Sequence, residues 1–280
     1  MVMLLFRRLW ERELRMIWRL EKNGRTSFIV GTAHFFPYSF RTSLSRLLEE
    51  TRVALFEGPL DEENMEKVRT AGIGSGNSEE LLAQFDDRII RRIADVLAPE
   101  ASQRRSDMGL QFFTPAPRDT VFSVLEGMSP WMAFFALHSR FLRKNGWKYS
   151  VDMEAYRIAQ EMGKRIVFLE TIEEQIQVLG SLSQKKIVDF ISRMDQWNSY
   201  TRRFVKWYLA GDTDKIFSNP YGFPTRDPGI IDRRDDIFFE RMLSHMEEGN
   251  AAAFVGAPHL ARLTTMFAES GFSVSREVPR

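Results

Sequence analysis

The chain contains no cysteine. That absence removes a disulfide scaffold, thiolate metal sites, a cysteine nucleophile and thiol redox chemistry together, so any catalysis must use oxygen and nitrogen groups. Histidine is scarce as well, with four in 280 residues. An excess of one charge is also missing: 39 Lys and Arg stand against 38 Asp and Glu, interspersed rather than in tracts. This excludes the electrostatic footprint of a nucleic-acid binder. Long apolar runs are absent. Residues 1–6 are cut off by Arg7 and Arg8, which leaves no core for a signal peptide. The densest stretch, residues 131–137, is far short of the roughly 20 apolar residues of a membrane span. A cytoplasmic protein is expected.

What is present suits a globular chain, with 44% hydrophobic and 12% aromatic residues. At this length roughly three quarters of the unfolded surface can be buried, so one domain over residues 1–280 needs neither disulfide nor structural metal. Residues 1–16 read as a short helix with Leu5, Leu9, Trp10 and Leu14 among arginines, packing on its own domain or a partner subunit. Peripheral membrane contact through residues 1–19 and a homo-oligomer are left open. Asn23-Gly24 between β-prone runs predicts a hairpin.

The second arm of that hairpin runs into Gly31-Thr32-Ala33-His34, and a helix is expected over 42–51. Val53-Ala54-Leu55-Phe56-Glu57 and Arg165-Ile166-Val167-Phe168-Leu169-Glu170 are apolar runs closed by a carboxylate, as expected of strands buried on both faces. Ala251-Ala252-Ala253-Phe254-Val255 runs into Gly256-Ala257-Pro258-His259. With helices between these runs, the fold class is α/β: a mixed, largely parallel sheet flanked by helices. Two related βα halves each end a strand in Gly-x-x-His, and residues 60–145 form a mostly helical insertion. One long helical region is expected over 184–210, stopped by Gly211, then a Pro/Gly loop over 219–229 that either closes as a lid or stays a static surface loop.

Four apolar strands thus end in His34, Glu57, Glu170 and His259, and ligands of open α/β sheets bind beyond the carboxyl ends of the strands. Two imidazoles and two carboxylates form a mixed N/O set suited to Mn²⁺, Co²⁺ or Zn²⁺. The first glycine of each motif permits a sharp turn or a close approach. Pro258 places His259 at a helix start, where the dipole favours a neutral ring. Against this stand plainer readings: a hydrogen-bonded core histidine, Glu57 capping the helix near Asp61, and Glu170 orienting the loop before the N-cap Thr171. His138 and His245 lack a partner spacing, Gly72-x-Gly-x-Gly lacks the strand of a phosphate-binding turn, and no strand exposes a Gly-x-Ser-x-Gly serine.

At these residues the chain resembles the TraB/GumN/PrgY family, which includes the TIKI proteases and is distantly similar to the erythromycin-esterase and ChaN-like fold. The ordered matches are Gly31-Thr32-Ala33-His34, Leu55-Phe56-Glu57-Gly58-Pro59, Ser129-Pro130-Trp131, Val151-Asp152, Leu169-Glu170-Thr171 with Gln175, Ala210-Gly211-Asp212 and Gly256-Ala257-Pro258-His259-Leu260. The resemblance implies a metal-dependent hydrolytic centre, a peptidase in some members, in which His34, Glu57 and His259 are catalytic and metal-binding. Asp152, Glu170 and Arg234 support them. The chain departs from the family's frequent Arg-Asn in having Arg234-Asp235, which adds a carboxylate to the pocket. The partner so implied is a peptide or a small hydrophobic ligand. The alternative function is a non-catalytic protein, ChaN-like, that sequesters a hydrophobic peptide or a planar cofactor.

Overall fold

The computed structural model describes residues 10–74, 76, 78–98 and 116–277. Residues 1–9 of the expected N-terminal helix, two positions of the Gly-rich break and the start of the loop at Thr114-Pro115 lie outside them. The described strands are β1 (Ile17–Lys22), β2 (Arg25–Thr32), β3 (Val53–Phe56), β4 (Arg165–Phe168), β5 (Ala251–Gly256) and β6 (Ser273–Arg276). They form one sheet in the order β4-β3-β5-β2-β1-β6. The ladders β4-β3, β3-β5 and β5-β2 are parallel, and β2-β1 and β1-β6 are antiparallel. The mixed, largely parallel α/β sheet expected from the alternation is the fold.

The hairpin closes as the sequence predicts. Lys22 pairs with Arg25, and the two turn residues take positive φ, 52° at Asn23 and 74° at Gly24, the type I′ geometry that matches strand twist. The last strand to join occupies the middle: β5 inserts between β2 and β3, with Ala251 to Val255 fully buried. Phe254 stacks on Phe56 across the β3-β5 ladder, ring centroids 5.0 Å apart. The helices Arg41–Glu49, Val151–Glu161, Pro228–Glu248 and Leu260–Glu269 pack around this sheet.

Three local expectations are corrected. Residues 11–16 are not helical. Leu14 and Met16 are buried while Arg15 is exposed, the period-two alternation of an extended chain, and Arg12 N–H donates to the Ser39 carbonyl while Ser39 N–H donates to the Trp10 carbonyl. β4 is not buried on both faces: it is an edge strand, with Arg165 and Phe168 exposed. The 184–210 region is not one helix but Gln184–Ser192 and Trp197–Ala210, joined by a 3₁₀ turn at Met194–Gln196. The stop at Gly211, φ 66°, is left-handed as predicted.

The 219–229 loop is strapped down, with Phe223 in an aromatic block with Phe134, His138 and Phe190. Tyr221 packs on Tyr200 and accepts a hydrogen bond from Arg203, and Asp227 pairs with Lys186. His138 is a core histidine in this block. Burial, then the Arg226 charge, pushes its pKa down to about 3, so it stays neutral.

The helix Trp197–Ala210 anchors the first Gly-x-x-His segment. Tyr208, fully buried, donates its hydroxyl to the Gly31 carbonyl at 2.6 Å. Tyr208→Phe is therefore expected to lower stability by about 1–3 kcal/mol, because the buried carbonyl loses a partner without gaining water. The shift of the urea midpoint at unchanged slope measures it.

Candidate functional site

The two Gly-x-x-His segments lie side by side. In the parallel β2-β5 ladder Gly31 faces Val255 and Thr32 faces Gly256, so the motifs run together one residue out of phase. The glycines are required by this closeness. A Cβ on Gly31 would stand 2.5 Å from Leu260 Cδ1 and 3.3 Å from Ala257 Cα, which belong to the second segment. A Cβ on Gly256 would stand 3.1 Å from Glu57 Oε1. Its absence lets the Gly256 N–H donate to that carboxylate oxygen. Pro258 lies in the first turn of the 3₁₀ segment Ala257–His259, and His259 leads into the helix Leu260–Glu269.

The four neighbouring parallel strands β4, β3, β5 and β2 lead to Glu170, Glu57, His259 and His34 in that spatial order. Arg234, from the helix Pro228–Glu248, joins three of them. Its Nε and Nη2 grip both oxygens of Glu170 at 2.9 and 2.7 Å, Nη2 also donates to Glu57 Oε2 at 2.9 Å, and Nη1 lies 3.4 Å from His259 Nε2. The Phe238 ring, one turn on, faces the guanidinium at 4.9 Å and meets the His259 ring edge-on at 5.2 Å. Burial pushes the Glu57 carboxyl up, but Arg234 first, then His259, His34 and the Gly256 N–H outweigh it and hold the pKa at about 2. Burial works likewise against Arg234, and Glu57 and Glu170 raise its pKa in spite of it.

Each histidine has its Nδ1 on a buried aspartate. His259 Nδ1 lies 2.5 Å from Asp235 Oδ1, with both residues buried. His34 Nδ1 is hydrogen-bonded to Asp152 Oδ2, and Asp152 Oδ1 accepts from Ser150 Oγ at 2.7 Å. The two differ in access: the His34 side chain is 70% exposed, that of His259 4%. Asp152 is the main cause that raises the pKa of His34; Glu57 adds to the rise and Arg234 reduces it. Burial raises the pKa of Asp235, with His259 acting in the other direction.

The plainer reading of Glu57 does not hold. Asp61, not Glu57, caps the helix Glu62–Gly72, accepting from Asn64 N–H. Thr171 caps the helix Ile172–Gly180 in a capping box with Glu174, leaving Glu170 to Arg234. Of the six residues singled out from the sequence, Glu57, Glu170 and His259 are brought together on Arg234, while His34 and Asp152 form a separate pair near enough for the charges of Glu57 and Arg234 to act on His34. Two participants were missed in their roles. Asp235 does not enter the pocket as a free carboxylate but turns to His259, and Ser150 positions Asp152. Adjacent helical residues point about 100° apart, so Arg234 and Asp235 serve different partners; the Arg-Asp pair signalled them without showing which. Gln175 covers Gly58, where a Cβ would meet its side-chain amide nitrogen at 2.3 Å. Beside Glu170 a cavity of about 270 Å³ opens between Pro59, Lys67, Phe168 and Arg241.

The profile of the TraB/PrgY/gumN family matches residues 16–276, which includes every one of these side chains. The chain belongs to the TraB/PrgY/gumN family. No curated protein and no solved structure matches it at a significant level. As a member of that family, the chain has its two Gly-x-x-His segments on adjacent parallel strands of a single sheet. No described helix is long and apolar enough to cross a membrane.

Proposed function

We propose that this TraB family protein is a metal-dependent hydrolase acting on peptide bonds, with His34, His259 and Glu57 as its metal-binding and catalytic residues. One observation carries the reading: both histidines have Nδ1 tied to a buried aspartate, which leaves Nε2 as the ligand atom. Metal-binding histidines are commonly held this way, by a carboxylate on the other ring nitrogen. The donors are nitrogen and oxygen only, which fits Mn²⁺, Co²⁺ or Zn²⁺. As folded, no three of the described His, Asp and Glu side chains stand gathered around one point, and Arg234 lies against both Glu57 and His259. Glu170 retains Arg234 through two bonds, so Glu57 can turn from it to an ion while the arginine stays in place.

Such an ion, when bound, lowers the pKa of a water molecule toward neutrality and polarises a carbonyl. Glu57, charged at neutral pH, would accept a proton from that water. Arg234 faces the same space as a fixed cation for negative charge that develops on the substrate. The cavity beside Glu170 has room for a substrate side chain. The peptide bond as substrate follows the resemblance to the TIKI proteases.

Elemental analysis tests the reading. After exposure to each of the three ions and removal of loosely bound metal, the parent protein is expected to retain one ion per chain and His259→Ala to retain little. Equal, sub-stoichiometric metal in both would overturn it. The saturation of Glu57 by Arg234 and Gly256 favours a second reading, a non-catalytic protein that holds a hydrophobic peptide or a planar cofactor. In that case Glu57→Gln keeps its ligand, and no peptide library is cleaved.

A further inference from the structure

We infer that the substrate peptide adds to β4 as a further strand, its main chain pairing with the outward backbone groups of Ile166 and Phe168. The inference rests on the proposed peptidase for the identity of the occupant, and it makes that occupant an extended segment rather than a helical or folded one. The pairing follows from the register. Arg165 and Leu169 donate their N–H groups toward β3, to the Arg52 and Phe56 carbonyls, and the parallel ladder runs without a bulge from Val53 opposite Arg165 to Phe56 opposite Phe168. Backbone groups alternate in direction along a strand, so those of Ile166 and Phe168 point away from the sheet. Among the described residues none bonds to them.

The two edges of the sheet differ. β6, at the far edge, reads Ser273-Val274-Ser275-Arg276, and Arg276 is held to the Ala210 carbonyl. β4 reads Arg165-Ile166-Val167-Phe168, apolar after its first residue, and Phe168 is exposed. Edges are ordinarily blunted by charge, proline or a bulge, because unpaired N–H and C=O groups accept another strand. Beyond Arg165, β4 has none of these, and addition to such an edge is a general way of binding a peptide through its main chain.

The course of β4 commits the edge to the substrate. The strand runs directly into Glu170, which grips Arg234, and the cavity of about 270 Å³ opens at its end with Phe168, Pro59 and Ile172 as apolar walls. A peptide paired to β4 carries alternate side chains toward that cavity. Glu57, at the end of β3, is two strand spacings from such a peptide, about 10 Å or about three extended residues. The paired residues therefore stand about three positions from the bond to be cleaved, and dipeptides and tripeptides are too short to use the edge.

The test is residue-resolved amide hydrogen exchange on the full chain, as Glu57→Gln so that bound peptide persists, with an end-blocked random decapeptide mixture as the probe. Without peptide the Ile166 and Phe168 amides are expected to exchange fast. With the mixture they slow by about tenfold or more, while Val167, already turned to β3, is unchanged. The same mixture with N-methylated backbones, which cannot pair as a strand, gives no slowing. Ile166→Pro removes only an outward N–H, and an edge strand tolerates proline there. It is expected to weaken peptide binding by about 3–10-fold, and Ile166→Val to leave it unchanged. Cleavage of the mixture by the parent with no slowing at Ile166 and Phe168 overturns the inference and leaves the peptidase reading standing. Slowing without cleavage upholds the edge as a peptide site and sinks hydrolysis; neither result sinks both. The exchange data decide should Ile166→Pro fail to fold.

Discussion

Arg234→Met is expected to destabilise the protein by about 3–5 kcal/mol, because it leaves two carboxylates in a dry site without their shared cation. Glu170 and Glu57 are 2% and 15% exposed, and both accept charge-assisted hydrogen bonds from this guanidinium. Methionine fills much of the same space, so the loss reports the charge rather than a cavity. The pH dependence gives the result its signature. The Glu57 carboxyl sits at about 2, below its ordinary 4.5. Its contribution to stability is thus fully present above the ordinary value and fades as the pH falls from about 5 toward 2. The variant lacks that contribution, so parent and variant differ most near neutrality and converge on acidification. Urea titrations of both proteins at pH 7 and at pH 3 measure this; a gap of equal size at both would refute the electrostatic cause.

Glu57→Gln is expected to lower peptide hydrolysis by about 10²–10⁴-fold, the usual weight of a general base, while leaving the chain folded. The amide oxygen can still accept from Gly256 N–H, and Arg234 keeps its paired bonds to Glu170. The cost in stability is one charged hydrogen bond, about 1.5–3 kcal/mol. Measuring turnover and the urea midpoint on the same preparation separates the two. Turnover at the parent's level would remove Glu57 from the chemistry. The comparison with Arg234→Met is informative because the two changes break the same ion pair from opposite sides: one removes a reacting group, the other strands two charges.

The hairpin, both Gly-x-x-His turns, the cap at Thr171 and the stop at Gly211 were legible in the sequence because each depends on residues within a few positions of one another. The Asn23-Gly24 turn is such a case: positive φ is needed at both positions, and those residues tolerate it. Strand type was legible as far as apolar runs go. β4 was misread as interior because its run is uninterrupted, whereas its exposed Arg165 and Phe168 mark the last strand of the sheet. The N-terminal strap was misread because Leu14 lies at helical spacing from Trp10 but also alternates with Arg15 and Met16, and pairing with Ser39 decided for the extended form.

By itself, then, the sequence determined the chemical inventory of the site: nitrogen and oxygen donors at the ends of apolar strands, two of them in glycine-hinged turns. Tertiary structure decided their company. That β5 enters between β2 and β3 follows from contacts between residues about two hundred positions apart, which no local pattern encodes. The choice of Asp235 for His259 and of Arg234 for Glu57 and Glu170 depends on the rotational phase and docking of one long helix. A turn of that helix by a single residue would bring Asp235 to the place of Arg234 and take the arginine away from both carboxylates; the packing of the helix against β2 and β5 sets the phase.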